Sequence, residues 1–191
     1  MKKVISLALA VVLALSLVAC GANNNNGDQQ QSGGDQAPEI TSALNLLETV
    51  WNDYGDDEKF PAVGGDFSEE NNVENGPGNY DLTDREALDA VLGLPQTAQV
   101  DQAASLIHMM NANTFTAAAY HATEDAEALA TALRDNIQQR QWMCGFPDKV
   151  VVAVKGEYVV SVFGKNDPVD AFASRLSGIY GAQLVYDEAI Q

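Results

Sequence analysis

Two runs of apolar, mostly β-branched residues, Val150-Val151-Val152-Ala153-Val154 and Tyr158-Val159-Val160-Ser161-Val162-Phe163, are separated only by Lys155-Gly156-Glu157. That spacing predicts a β-hairpin, with Gly156 supplying the unusual backbone angle of the turn. A strand with one wet face alternates apolar and polar residues. These runs do not alternate, so the sheet they enter needs a cover on each side.

The flanking sequence predicts what joins the hairpin. Thr114, Phe115, Thr116 and Tyr120 favour a strand over Phe115–His121. Thr123, Glu124 and Asp125 then cap a helix whose stripe is Ala126, Leu129, Ala130, Leu133 and Ile137, ending before Gly145 and Pro147. After the hairpin, Asn166-Asp167-Pro168 starts a last helix with Val169, Phe172, Ala173, Leu176, Ile179 and Tyr180 inward, and Gly181 stops it. Leu184-Val185-Tyr186 adds a strand. Strand, helix, strand, strand, helix, strand is the split βαβ order, which predicts an α+β fold: an antiparallel sheet of ferredoxin-like topology with helices packed on it.

Upstream, Ile40, Ala43, Leu44, Leu47, Val50, Trp51 and Tyr54 recur at spacings of three and four, predicting a helix over 39–54. Thr83 and Glu86 form a capping box for a second helix over 84–92, closed by Gly93 and Pro95. These two N-terminal helices are expected to cover the second face of the sheet. Residues 100–110 carry both a helical signal, in Ala and Met, and a strand signal, in Leu106-Ile107; the strand reading is preferred and the helix stays open.

The start of the chain reads as an address. Lys2 and Lys3 precede Val4–Val18, apolar apart from Ser6 and Ser16. A membrane-spanning helix needs about 20 apolar residues, so this stretch is short for a permanent span and reads as a signal peptide over 1–19. It ends in Leu17-Val18-Ala19-Cys20, which resembles the lipobox of bacterial lipoproteins, in which the cysteine is acylated and becomes the first residue. Cys20 is therefore the expected lipidation site and the membrane the expected attachment. Residues 21–38 are Gly, Asn, Gln, Ser, Asp, Ala and Pro with no large apolar side chain, too poor in burial to offset chain entropy, so 20–38 is read as a disordered stalk. The 191-residue chain then leaves room for a single α+β domain over 39–191.

Charge narrows the partners. The chain carries 27 Asp+Glu against 10 Lys+Arg, a formal charge of −17, and losing Lys2 and Lys3 with residues 1–19 makes it −19. Such a field repels phosphate backbones, so no nucleic acid is expected, and it gives anionic lipid headgroups no hold on the domain.

The residues that could carry chemistry are few. Residues 53–81 hold nine acids, five glycines and one base, Lys59, without regular period. Carboxylates and Asn carbonyls alternating with Gly suit an oxygen-seeking cation, so Asp66, Glu69, Glu70, Asn72 and Glu74 are candidate calcium ligands, although their spacing does not fit an EF-hand. No cofactor is otherwise expected. His108 and His121 stand thirteen residues apart with no second His or Cys at zinc spacing. With Cys20 lipidated, Cys144 is the one thiol left; Trp142, Met143 and Phe146 around it point to burial, and a Cys-His nucleophile pair with His108 or His121 would need a contact that spacing does not supply. Trp51, Tyr54 and Phe60 could line a sugar or peptide groove, but the first two lie on the apolar helical stripe. There is no G-x-S-x-G elbow, P-loop, dinucleotide fingerprint or H-E-x-x-H helix, so catalytic residues: none.

The lipobox, the stalk, the amphipathic first helix, the segment DREALDAVLGL, the stretch MMNANTFTAAAYHATEDAEALATALRDNIQQRQ and the hairpin VVAVKGEYVVSVFG together resemble an uncharacterised lipoprotein family of Gram-positive anaerobes, the domain of unknown function numbered 4358. The resemblance covers about residues 39–180, and the acidic insertion around 60–80 departs from it. It implies an extracytoplasmic protein, lipid-anchored on the outer face of the cell membrane, and carries no catalytic residue over. The expected function is a non-catalytic domain that binds another envelope protein, a peptide or a wall component. Alternatives are a calcium or small-ligand module on the acidic loop, and an envelope hydrolase built on Cys144.

Overall fold

The computed structural model describes residues 37–143 and 145–191. The signal peptide, Cys20 and the stalk up to residue 36 lie outside the described residues, as does Cys144. The described residues all belong to one compact unit, Gln36–Gln191, which contains two hydrophobic cores of its own.

The described residues form a mixed α+β domain with an eight-stranded antiparallel sheet and four helices. In chain order these are α1 (Ala43–Asn52), β1 (Ala62–Gly64), β2 (Val73–Glu74), β3 (Gly78–Asn79), α2 (Arg85–Leu92), β4 (Val100–His108), β5 (Phe115–Ala122), α3 (Ala126–Gln138), β6 (Lys149–Lys155), β7 (Tyr158–Gly164), α4 (Asn166–Tyr180) and β8 (Gln183–Ala189). Across the sheet the order is β2-β1-β4-β5-β7-β6-β8, with β3 also paired to β4. Residues 100–108 are strand, which decides between the two signals of that segment. The β6–β7 turn is tighter than read: Lys155 pairs with Tyr158, leaving Gly156 and Glu157 as a two-residue loop with Gly156 at φ 58°.

The topology differs from the ferredoxin-like expectation. In that arrangement the last strand would lie beside β5, but β5 already pairs with β4 on that side, through Ile107↔Thr116 to Val100↔Ala122. β8 instead takes the free edge of β6, with Lys149↔Ala189 through Val154↔Gln183. The crossovers β5-α3-β6 and β7-α4-β8 thus step the same way across the sheet while their strands run in opposite directions. Right-handed crossovers then require the two helices on opposite faces. That is where their core residues lie.

The two upstream helices follow the same division and do not share a face as expected. α1 joins α4: Leu46, Leu47, Val50 and Trp51 pack with Phe172 and Leu176 against Leu106, Phe115, Ala117, Val151 and Val162. α2 joins α3: Leu88, Leu92, Leu129, Leu133 and Ile137 pack against Ile107, Tyr120, Val150, Val152 and Phe163. A sheet widened by β4 leaves one uncovered area on each face, and one helix closes each. An aromatic chain, Trp51–Phe60, Phe60–Phe115 and Phe115–Phe172 at 5.1, 5.0 and 5.5 Å between centroids, ties α1, β5 and α4 together. Contacts of this kind contribute about 0.5–1.5 kcal/mol each beyond burial.

Capping differs in detail. The N-cap of α2 is Asp84, which accepts from Ala87 N at 2.9 Å, while Thr83 donates its hydroxyl to Asp81. At the other end of α2 the guanidinium of Arg140 donates to the carbonyls of Ala90 and Val91 while lying over the rings of Trp142 and Phe163, 4.8 and 5.4 Å from their centroids. A cation there complements the negative end of the helix dipole.

The acidic segment is not a featureless loop. β1, β2 and β3 form a flap on the β4 edge, registered by Val63↔Glu74, Val63↔Ile107 and Asn79↔Ala104. Its backbones touch where side chains would forbid it: a Cβ on Gly65, at φ 91°, would stand 1.9 Å from Asn71 O, and one on Gly64 would stand 2.2 Å from Gly78 N. Ser105, wholly buried in β4, holds the contact by accepting from Gly65 N at 3.0 Å and donating to Gly65 O at 2.9 Å. Trp51 Nε1 donates to Asn75 O at 2.9 Å and fastens α1 to the same flap.

Candidate functional site

The structure offers two places where chemistry-bearing or exposed apolar groups gather. The first lies at the start of β4. The register shift between Val100 and Gln102 leaves Asp101 as the extra residue of a bulge, which re-aims its carboxylate. His121 Nδ1, on β5, donates to Asp101 Oδ1 at 2.6 Å, and its Nε2 faces Glu157 Oε2 at 3.5 Å. Tyr158 lies against the imidazole, 4.9 Å between centroids. The hydrogen bond to Asp101, against some desolvation and helped by the charges of Asp101 and Glu157, raises the imidazole pKa above its ordinary value. Beside this group Ser42, Leu44, Asn79, Tyr80, Asp101 and Gln102 line a shallow cleft of about 320 Å³. Its floor is already bonded, since Gln102 Oε1 accepts from Ala43 N at 3.0 Å and Ser42 Oγ from Asn45 N at 3.0 Å.

A hydrolytic dyad needs a histidine that spans a carboxylate and a nucleophile. His121 has carboxylates toward both ring nitrogens, which favour its charged form and leave neither nitrogen for a hydroxyl. His108 is at the other end of β4, stacked on Phe60 at 5.4 Å, with Nδ1 accepting from Met110 N at 3.2 Å. The β4–β5 register therefore keeps the two histidines apart.

The calcium candidates are dispersed in role. Asp66 is the node of the flap: Oδ1 accepts from Ser68 N at 2.9 Å, and Oδ2 accepts from Asn71 Nδ2 at 2.7 Å and Asp81 N at 3.2 Å. Desolvation opposes its charge, but the bonds from Ser68, Asn71 and Asp81 outweigh it and bring the carboxyl down to about 2. Glu69, Glu70, Asn72 and Glu74 are exposed. Among the described residues no group of three or more His, Cys, Asp or Glu side chains is placed to hold a metal ion. Trp51 and Tyr54, groove candidates by residue type, are 4 and 6% exposed and belong to the core, with Phe60 packed against them.

The second place went unread in the sequence. The β4–β5 connection, residues 109–114, and the middle of the α3–β6 connection, residues 141–147, meet at the opposite end of the sheet. Asn113 Nδ2 donates to Met143 O at 2.8 Å and to Gly145 O at 2.9 Å, clasping one loop to the other. Lys165 Nζ donates to Phe146 O at 2.8 Å, and the Arg140–Trp142–Phe163 stack anchors the base. The pinned loops hold Met109, Met110, Met143 and Phe146 in solvent, at 50, 79, 80 and 69% exposure. Apolar neighbours had suggested that Cys144 is buried; Met143 and Phe146 on either side of it face outward, and the thiol itself lies outside the described residues. Apart from that thiol neither 109–114 nor 141–147 carries an ionisable side chain, on a chain of charge −17, and Arg140 and Asp148 flank the second stretch. The available signal was the clustering of Met and Phe in segments with no strand or helix period.

No protein-family model, curated protein or solved structure matches this chain. Among the described residues no helix is long and apolar enough to cross a membrane.

Proposed function

We propose that this chain is an exported lipoprotein, held through Cys20 on the outer face of the cell membrane, whose folded residues form a non-catalytic domain that binds a partner in the envelope. The observation that carries the binding role is the tip formed by residues 109–114 and 141–147, where four large apolar side chains are held exposed by hydrogen-bonded loops. Large apolar side chains gathered in solvent on an otherwise charged protein mark an interaction site, and Met adapts to varied partner shapes. The anchor rests on the n-region, the apolar stretch and the Leu-Val-Ala-Cys box, and on the resemblance to the lipoprotein family numbered 4358.

Labelling of cells with a clickable fatty acid, followed by detergent phase separation, tests the anchor. The full chain is expected to carry label and partition with detergent, and Cys20→Ala to lose both. Label retained by Cys20→Ala, or an unlabelled soluble wild type, overturns the lipoprotein reading.

A further inference from the structure

Resting on the binding role just proposed, we infer that the partner seated on this tip is a basic amphipathic protein segment: apolar side chains laid on Met109, Met110, Met143 and Phe146, and lysine or arginine side chains over the surrounding acids. The floor of the site is uncharged, so an apolar anchor meets no desolvated ion there. Acids stand at its border. Asp148 closes the second loop and Asp167 lies in the first turn of α4, whose preceding residue Lys165 donates its amide to Thr114 O at 2.9 Å, which places that helix end against the tip. The bases at this border are engaged: Lys165 on Asp148 at 2.8 Å and on Phe146 O, Lys149 on Asp170 and Asp187 at 2.6 Å each, and Arg140 on the carbonyls of Ala90 and Val91.

Charge decides among occupants. A second copy of the chain would bring two bodies of charge −17 together, an anionic bilayer would meet the same repulsion, and only a cationic segment gains from the surrounding field. The loops do not have to fold around the ligand, because Asn113, Lys165 and the Arg140–Trp142 stack already hold them. A partner would therefore meet a prearranged surface.

The experiment uses residues 37–191, which contain both cores, and a model helix of leucine and lysine as probe, read by fluorescence anisotropy. The comparison ligands are a leucine–glutamate helix of the same pattern and zwitterionic phosphatidylcholine vesicles. The test variant is Met110→Ser with Phe146→Ser. The control is Phe67→Ser, which removes an exposed ring from the flap, 51% exposed and away from the tip. Both variants lie on exposed side chains, and a thermal melt checks that each keeps the wild-type transition. The expected result is binding of the leucine–lysine helix that weakens about tenfold or more in the tip variant and stays unchanged in Phe67→Ser, with no binding of the acidic helix. Equal binding by wild type and tip variant overturns the inference, because charge alone would then account for the association. Tip-dependent binding of the acidic helix or of the vesicles overturns the partner class, and a concentration-dependent dimer lost in the tip variant assigns the surface to a second copy. The lipid label at Cys20 is read separately, so failure here leaves the anchor reading standing, and failure of the anchor leaves this one standing.

Discussion

Replacing Ser105 by alanine should be far more costly than its one lost hydroxyl suggests. Ser105 Oγ is the partner of both backbone groups of Gly65, at 3.0 and 2.9 Å, in a wholly buried position. Alanine would strand one buried N–H and one buried C=O where no water reaches them, and each such orphan costs about 1–3 kcal/mol. The sum, about 2–6 kcal/mol, is a large part of the 5–15 kcal/mol by which domains are typically stable, roughly. Thr116→Val supplies the comparison. Thr116 is equally buried, but its Oγ1 donates a single bond, 2.9 Å, to the carbonyl of Ala112, an exposed residue whose carbonyl can turn to water. Valine keeps the shape, so that loss is expected to be about 1 kcal/mol. Urea unfolding of residues 37–191, followed by tryptophan fluorescence, reads both, since Trp51 is bonded to the flap through Asn75. A Ser105→Ala midpoint within error of wild type, or a Thr116→Val loss as large as that of Ser105→Ala, would refute the claim that Ser105 holds the flap by satisfying Gly65.

Two further outcomes follow from the charged groups. The folded-state pKa of Asp66 is depressed to about 2, so its bonds contribute stability that is complete above the unfolded carboxyl value near 4 and is lost as pH falls toward 2; Asp66→Asn should reduce the acid sensitivity of the melt between those values, and because the wild-type oxygens are already taken, calcium in place of EDTA should leave the transition unmoved, a rise with calcium assigning the flap to cation binding. His121 has a raised pKa, so the contribution of its ion pair is complete below the unfolded value near 6.5 and is lost as pH rises through the folded one; in a nuclear magnetic resonance titration Asp101→Asn should bring the His121 midpoint back down, and an unchanged midpoint would remove Asp101 as the cause.

The tip and the flap show why some of the site stayed illegible. Exposure of Met143 and Phe146 follows from Asn113 reaching about 30 residues along the chain to their loop, a contact that local composition does not record. The flap strands are two or three residues long, below any periodicity, and their pairing depends on glycine backbones that meet only after the chain has folded. Asp101 acquires its hold on His121 from a bulge, a property of two paired strands.

Local chemistry was readable wherever it acts between near neighbours. Apolar runs over 150–163, stripes at three and four residues on α1, α3 and α4, and glycines at the ends of α2 and α4 determine which segments are strand or helix, because backbone geometry repeats over a few residues. What the tertiary structure alone decided was which strand lies beside which and which helix covers which face. β4 takes the edge of β5, β8 is thereby sent to β6, and the hand of the crossovers then divides the helices between the faces. Those choices are settled by competition for a few free strand edges among segments far apart in sequence, and no local pattern records the outcome.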